Sequence, residues 1–229
     1  MLAALSDFDR SAWGKSIPRG CLVARDATIL ALARTKDVLH LGAADAPFTY
    51  AKAPQGTLLH QQLRAVAGSV VGVDLDKQAV DWLRERHGIA DICLADASDA
   101  TALPDRRFDV VACCDLIEHL DNPGRLLDAA RTRLRPDGLM VVTTINATAI
   151  KIALRAITGR EAVHPQHVCY YSYATLCELL LRHHLRPSRF GTFCYPTCKR
   201  ISALLFNRLA AIAPGTADGL IIVAINRDS

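Results

Sequence analysis

The sequence predicts an α/β domain in which a mainly parallel, seven-stranded sheet carries helices on both faces. Three observations lead there. Short β-branched apolar runs alternate with longer amphipathic segments, the pattern of strands buried on both sides and linked by helical crossovers. The 229 residues suffice for one large core and are few for two. Hydrophobic residues make up 51% and charged residues 22%, a globular composition rather than a disordered or fibrous one.

Taken in order, residues 1–36 are expected to form an N-terminal helical cap, and residues 37–229 the main domain. Asp37 to Leu41 reads as the first strand, ending at Gly42, and Thr57 to Ala67 as a helix closed by Gly68. Ser69 to Asp74 is the second strand, Lys77 to His87 a helix closed by Gly88, and Ala90 to Ala95 the third strand. Phe108 to Cys113 is the fourth. Asp121, Asn122 and Pro123 mark the start of a helix to Leu134, and Pro136, Asp137 and Gly138 form a turn into a fifth strand, Leu139 to Ile145. Residues 146–173 read as a covering lid segment. A helix from Tyr173 to His183, a strand from Arg189 to Cys194, a helix from Ile201 to Ala211 and a strand from Leu220 to Asn226 complete the chain.

Charge and apolar patterning exclude several functions. The net charge of +4 is spread without a basic run, which argues against a nucleic-acid partner. No apolar stretch approaches the roughly 20 residues that cross a bilayer. MLAALSDFDR has no basic start and no sustained apolar core, so a secretory signal is not expected. Eight cysteines without CxxC pairs read as reduced thiols in a cytoplasmic protein, and Cys194 with Cys198 alone closes neither a zinc nor a redox site. Homodimer formation stays open.

Ligands of doubly wound sheets sit beyond the carboxyl ends of the strands, which directs attention to three strand ends. The first is HLGAADAP, residues 40–47, where Gly42 allows a sharp turn and close backbone approach. The second ends in Asp74, placed to accept from both hydroxyls of a ribose, and the third in Asp96, placed to accept from an adenine amino group. Each acid alone is commonly a helix cap or turn residue. Together they form a pattern.

With VLHLGAAD, VVGVDLDKQAV, LADA, FDVVACCDLIEHL, LRPDGLMVVTTINA and HVCYYSYATLCELLLRHHL, residues 37 to 185 resemble the class I S-adenosylmethionine-dependent methyltransferases, whose fold is Rossmann-like. The resemblance implies S-adenosylmethionine as cofactor. It implies that His40, Gly42, Ala43 and Ala44 lie at the methionine end, Asp74 and Leu75 at the ribose, Asp96 and Ala97 at the adenine, and Cys113 and Cys114 on the floor near the sulfonium. The chain departs from the family in having His40, Ala44 and Ala46 where an acid and two glycines are usual. His40 reads equally as a strand-end histidine bonded to the loop.

The segment DLIEHL puts Asp115, Glu118 and His119 at i, i+3 and i+4. It resembles the ExxEH metal turn of ubiquinone-pathway O-methyltransferases and of small-RNA terminal 2′-O-methyltransferases. That resemblance implies Mg or Mn held by Asp115, Glu118, His119 and His167, with His164 as a spare ligand. The other reading is metal-free, with His119 as general base and Glu118 as its catalytic companion. Trp13, Lys15, Arg19, Arg25, Lys151, Arg155, Arg160, Tyr170 and Tyr171 would cover a small-molecule substrate such as a sugar, a phenol or a secondary metabolite. The function expected is O-methylation of a small molecule. N-methylation without metal, or a non-catalytic nucleoside- or partner-binding domain, are the alternatives.

Overall fold

The computed structural model describes residues 1–6, 8–19, 21–161, 163–196 and 200–226. Its strands are β1 (Ala3–Ala4), β2 (Asp37–Leu41), β3 (Ser69–Asp74), β4 (Ile92–Leu94), β5 (Phe108–Cys114), β6 (Leu134–Ile145), β7 (Leu185–Phe193) and β8 (Gly219–Asn226). They form one sheet in the order β1-β7-β8-β6-β5-β2-β3-β4. The run from β4 to β6 is parallel, and β8, β7 and β1 add antiparallel pairs at the other side. Seven strands match the expectation, and the two-residue β1 adds an eighth by pairing Ala3 with Phe190.

The helices are α1 (Arg25–Ala33), α2 (Thr49–Lys52), α3 (Leu59–Val66), α4 (Lys77–His87), α5 (Pro123–Thr132), α6 (Ile150–Ile157), α7 (Tyr173–Arg182) and α8 (Arg200–Ile212). On one face of the sheet, Leu126 and Leu127 of α5 and Leu176 and Leu180 of α7 pack with Leu39, Val111 and Phe190. On the other, Ile29 of α1 and Leu63 of α3 pack with Val38, Val110 and Ile221. Neighbouring residues of each strand thus feed opposite cores, as a period of two requires.

Capping chemistry sets α4. The Asp76 side chain accepts the Ala79 amide, and Gly88 closes the helix in the left-handed region. Two expectations are corrected. The N-terminal cap is helical only in α1, because the residues before it follow the sheet edge through β1 and a Leu22–Thr192 bridge. Pro136 to Gly138 is not a turn between elements: β6 passes through it as an irregularity opposite Phe108, with Asp137 at φ +62°. Within the segment expected as a lid, residues 150–157 form a helix, α6, with no buried residue. Among the described residues, no helix is long and apolar enough to cross a membrane.

Candidate functional site

Three parallel strand ends are joined by hydrogen bonds into one crevice. The Gly42 and Ala43 amides both donate to the Val73 carbonyl, at 2.9 and 3.1 Å. The Ala44 amide donates to Asp74 Oδ2 at 2.8 Å, and the Asp76 amide to Asp74 Oδ1 at 2.9 Å. The Ala95 amide then donates to the Asp74 carbonyl at 3.0 Å, bringing the chain that carries Asp96 alongside. Asp96 Oδ1 accepts the Ser98 amide at 2.8 Å. Leu75 stands 70% exposed at this edge, an apolar side chain suited to cover a flat heterocycle, while Ala97 packs on the core.

Gly42 needs to be glycine: its φ is +74° and the Leu116 side chain lies 3.5 Å from where a Cβ would stand. Ala44 does not, since the left-handed positions in this loop fall on Gly42 and on Asp45, at φ +57°. Lys52 pairs with the Asp45 carboxylate. The departure at position 44 therefore costs the loop nothing in backbone conformation.

His40 turns away from the crevice. It is 2% exposed, and its Nδ1 lies 3.4 Å from Nδ1 of the fully buried His60, whose Nε2 is 3.5 Å from Asp91 Oδ1. Burial, then His60 and Arg25, hold the His40 imidazole well below its ordinary range, so the ring is neutral. The bonded strand-end histidine is the reading that fits, with His60 as the partner. Cys113 and Cys114 part company. Cys113 is sealed in the core facing α5 and α7, and Cys114 faces the α1 side within the field of Arg25. The cysteines of the described residues are free thiols, and Cys198 lies outside those residues.

Beyond β5 the chain turns through Asp115, at φ +51°, into a single helical turn, Ile117–His119. Asp115 accepts the Thr143 hydroxyl at 2.9 Å and pairs with Arg25 Nη2 at 2.9 Å. Arg25, the first residue of α1, also reaches Thr143 Oγ1 at 3.3 Å and lies over the Phe193 ring. Burial works against its charge, and Asp115 and Asp26 nonetheless hold its pKa above the ordinary value. Glu118 is fully buried, its Oε2 accepting the Thr144 hydroxyl at 2.8 Å. Burial, then the nearby Asp115, pushes its carboxyl up to about 7.

His119 stands half-buried at the rim. Its ring centroid is 4.4 Å from that of His167 and 5.4 Å from that of His164, and those two are 5.0 Å apart. The Val168 amide donates to the Glu118 carbonyl at 2.9 Å, which seats the later histidines against this turn. Burial and the neighbouring imidazoles lower His119 and bring His167 down to about 4, so both rings are neutral near pH 7.

Of the expected metal set, His119 and His167 are brought together with His164 as a third ligand. The carboxylates of Asp115 and Glu118 lie outside that group: Asp115 is bonded to Arg25 and Thr143, Glu118 Oε2 to Thr144, and Glu118 Oε1 is buried with no hydrogen-bond partner among the described residues. Among the described residues, the ligand atoms that all lie within 4.8 Å of one another are those of His119, His164 and His167. Arg25, expected over a substrate, is paired instead with Asp115, a partner too distant in the chain to be read from sequence. His164 had a signal, its position three residues before His167. Of the side chains expected over a substrate, Lys151 is paired with Asp218, Lys15 caps nearby carbonyls, and Trp13 is exposed.

Residues 19–186 match the methyltransferase domain family. The chain is 27% identical over 187 residues to a ubiquinone biosynthesis O-methyltransferase of Paraburkholderia xenovorans (strain LB400), covering 76% of this chain and 75% of that one. A protein of the same name from Thiobacillus denitrificans is 30% identical over 112 residues, covering 47% of this chain and 48% of its own. Among solved structures, a SAM-dependent methyltransferase from Archaeoglobus fulgidus superposes with a TM-score of 0.58 at 18% identity, over 88% of this chain and 91% of that one. The N-methyltransferase NodS of Bradyrhizobium japonicum, in complex with S-adenosyl-L-homocysteine, gives 0.56 at 14% identity, over 88% and 85%. The structural likenesses speak for the fold, and the matched stretch runs through every strand end that forms the crevice. On that footing the chain belongs to the methyltransferase domain family and is an S-adenosylmethionine-dependent methyltransferase.

Proposed function

We propose that this enzyme methylates a hydroxyl group of a small molecule. The observation that carries the reading is the neutral His119 ring at the end of β5, half-buried beside the cofactor crevice. A neutral imidazole there can take a proton from a hydroxyl. In the reaction, the acceptor oxygen attacks the sulfonium methyl, the new O–C bond forms as the S–C bond breaks, and His119 receives the hydroxyl proton. S-adenosylhomocysteine leaves. Much of the acceleration is positional, since an in-line displacement needs little beyond alignment of the reacting atoms.

In this reading the Gly42–Ala44 backbone runs along the methionine and the Arg25 guanidinium offers an anion partner for its carboxylate. Asp74 accepts from both ribose hydroxyls, Leu75 and Ala97 flank the adenine, and Asp96 accepts from its amino group. Cys114 lines the floor near the sulfonium. Glu118, protonated in part near neutrality, holds the turn under His119 through Thr144. If the imidazoles of His119, His164 and His167 held a divalent ion, that ion would supply Lewis acidity toward the acceptor oxygen and His119 would serve as a ligand in place of the base.

The name of the relative matched over 76% of the chain favours oxygen as the acceptor atom. The test is methyl transfer from labelled S-adenosylmethionine to a panel of phenols, catechols and sugars set beside a panel of primary and secondary amines. Label in the hydroxylated panel is expected. Label confined to the amines would overturn O-methylation and leave the family assignment standing.

A further inference from the structure

We propose that His119, His164 and His167 form an all-nitrogen site for a divalent transition ion of the zinc or cobalt(II) type at the crevice rim. Their ligand atoms all lie within 4.8 Å of one another. Nitrogens around one zinc at about 2.0–2.1 Å stand roughly 3.4 Å apart in a tetrahedron, so ring rotations of about an ångström close the site. The inference concerns binding and stands on this geometry, whatever atom the enzyme methylates.

The backbone holds these rings together in three ways. The His119 amide donates to the Leu116 carbonyl at 3.0 Å, fixing its turn. The His167 amide donates to the His164 carbonyl at 3.0 Å, which folds that pair of imidazoles into one turn. The Val168 and Cys169 amides both donate to the Glu118 carbonyl, at 2.9 and 3.4 Å, clamping the second turn onto the first.

The ring nitrogens supply independent support. His167 Nδ1 is buried and has no hydrogen-bond partner among the described residues, a polar atom left for something to satisfy. His119 is bonded to the Gln166 backbone, the arrangement that fixes a metal-ligating imidazole through its second nitrogen. His164 Nδ1 accepts the Gln166 amide at 3.3 Å, a long contact that ligation through the other nitrogen gives up.

Donor chemistry chooses the ion. Imidazole nitrogens suit zinc, cobalt, nickel and copper, whereas magnesium and calcium take carboxylate, carbonyl and water oxygens. No carboxylate belongs to this group. Three protein ligands leave at least one coordination position for an oxygen from outside.

The experiment uses the full chain without a polyhistidine tag, stripped with chelator and titrated with cobalt(II). The visible ligand-field spectrum and calorimetry are read together, with magnesium as competitor. Uptake of about one cobalt per chain is expected, displaced by zinc and untouched by a large excess of magnesium. His164→Ala, His164→Asn and His167→Ala should each weaken uptake by more than about tenfold with an unchanged far-ultraviolet circular dichroism spectrum. Glu118→Gln should keep the cobalt spectrum and affinity. The proposal is overturned if the folded wild type takes up no cobalt, if magnesium displaces it, or if Glu118→Gln abolishes uptake while both His164 variants retain it. Because the readouts are spectral and calorimetric, their failure is distinct from a failure of O-methylation.

Discussion

Asp74 Oδ2 accepts the amide of Ala44 at 2.8 Å, so the acid ending β3 holds the loop that ends β2. One oxygen of this carboxylate thus shapes the loop after β2 while the other organises the start of α4 through Asp76. Asp74→Ala removes both supports and, on the proposed reading, a charged hydrogen-bond acceptor for the ribose. A loss of about 1.5–3 kcal/mol, ten- to hundredfold or more in the Kd for S-adenosylmethionine, is expected by calorimetry. Asp96→Ala, on an exposed side chain, should cost less.

Gly72 gives the same loop its room. A Cβ there would stand 2.7 Å from Ala43 Cβ and 2.7 Å from His60 Cε1. Gly72→Ala should destabilise the fold by about 1–3 kcal/mol, read as a shift in denaturant midpoint, and should also weaken cofactor binding because Ala43 must move. Unchanged stability would show that the strand can relax around the extra methyl.

His119→Ala should lower kcat by roughly a hundredfold or more while the Kd for S-adenosylmethionine stays within about twofold, since the ring sits at the acceptor side. Equal turnover in wild type and variant would remove His119 from the proton transfer.

Arg25 and Asp115 form a partly buried pair, with side chains 18% and 29% exposed. Removing either partner strands the other. A double-mutant cycle with Arg25→Met and Asp115→Asn should give a coupling of about 1–3 kcal/mol in unfolding free energy. Additive effects would mean that the pair contributes nothing to stability.

Acid sensitivity follows from His40. Burial, His60 and Arg25 hold its pKa well below 6.5, so the unfolded chain binds a proton that the folded state refuses. The charged or titratable groups facing it are His60, Arg25 and, behind His60, Asp91 with Arg64. Stability is full above the unfolded value and is lost as pH falls through 6.5 toward the depressed folded value. Urea midpoints should drop between about pH 7.5 and 5.5, and His40→Asn should flatten that slope. A slope identical in the variant would assign the effect elsewhere.

Local signals made much of this architecture legible. Helix α4 has the bounds Lys77–His87 expected from its flanking residues, because Asp76 and Gly88 act through contacts a few residues long. The strand ends at Gly42, Asp74 and Asp96 were likewise readable, since parallel β/α alternation dictates where such residues gather. What escaped depends on contacts between distant segments. Arg25 meets Asp115 from α1, and His40 finds His60 beneath the sheet, and nothing near either residue in sequence announces its partner. The ExxEH-like spacing suggested one helical face, yet the short turn Ile117–His119 buries Glu118 fully and leaves His119 half-buried at the rim, so neighbours in sequence diverge in space. Pro136 to Gly138 carried a turn signature that the sheet overrode by pairing on both sides of it.

The amides of Val168 and Cys169 rest on the carbonyl of Glu118, not on the loops that end β2 or β3. The chain that brings His164 and His167 to the rim is therefore moored to the end of β5 and, through the Ala147 amide on the Tyr171 carbonyl and the Asn146–Tyr171 bridge, to the end of β6. On the proposed reading, acceptor preference and cofactor affinity are separable traits. Exchanging the chain between Thr158 and His164 for that of a relative is then expected to change the first and leave the second as it is.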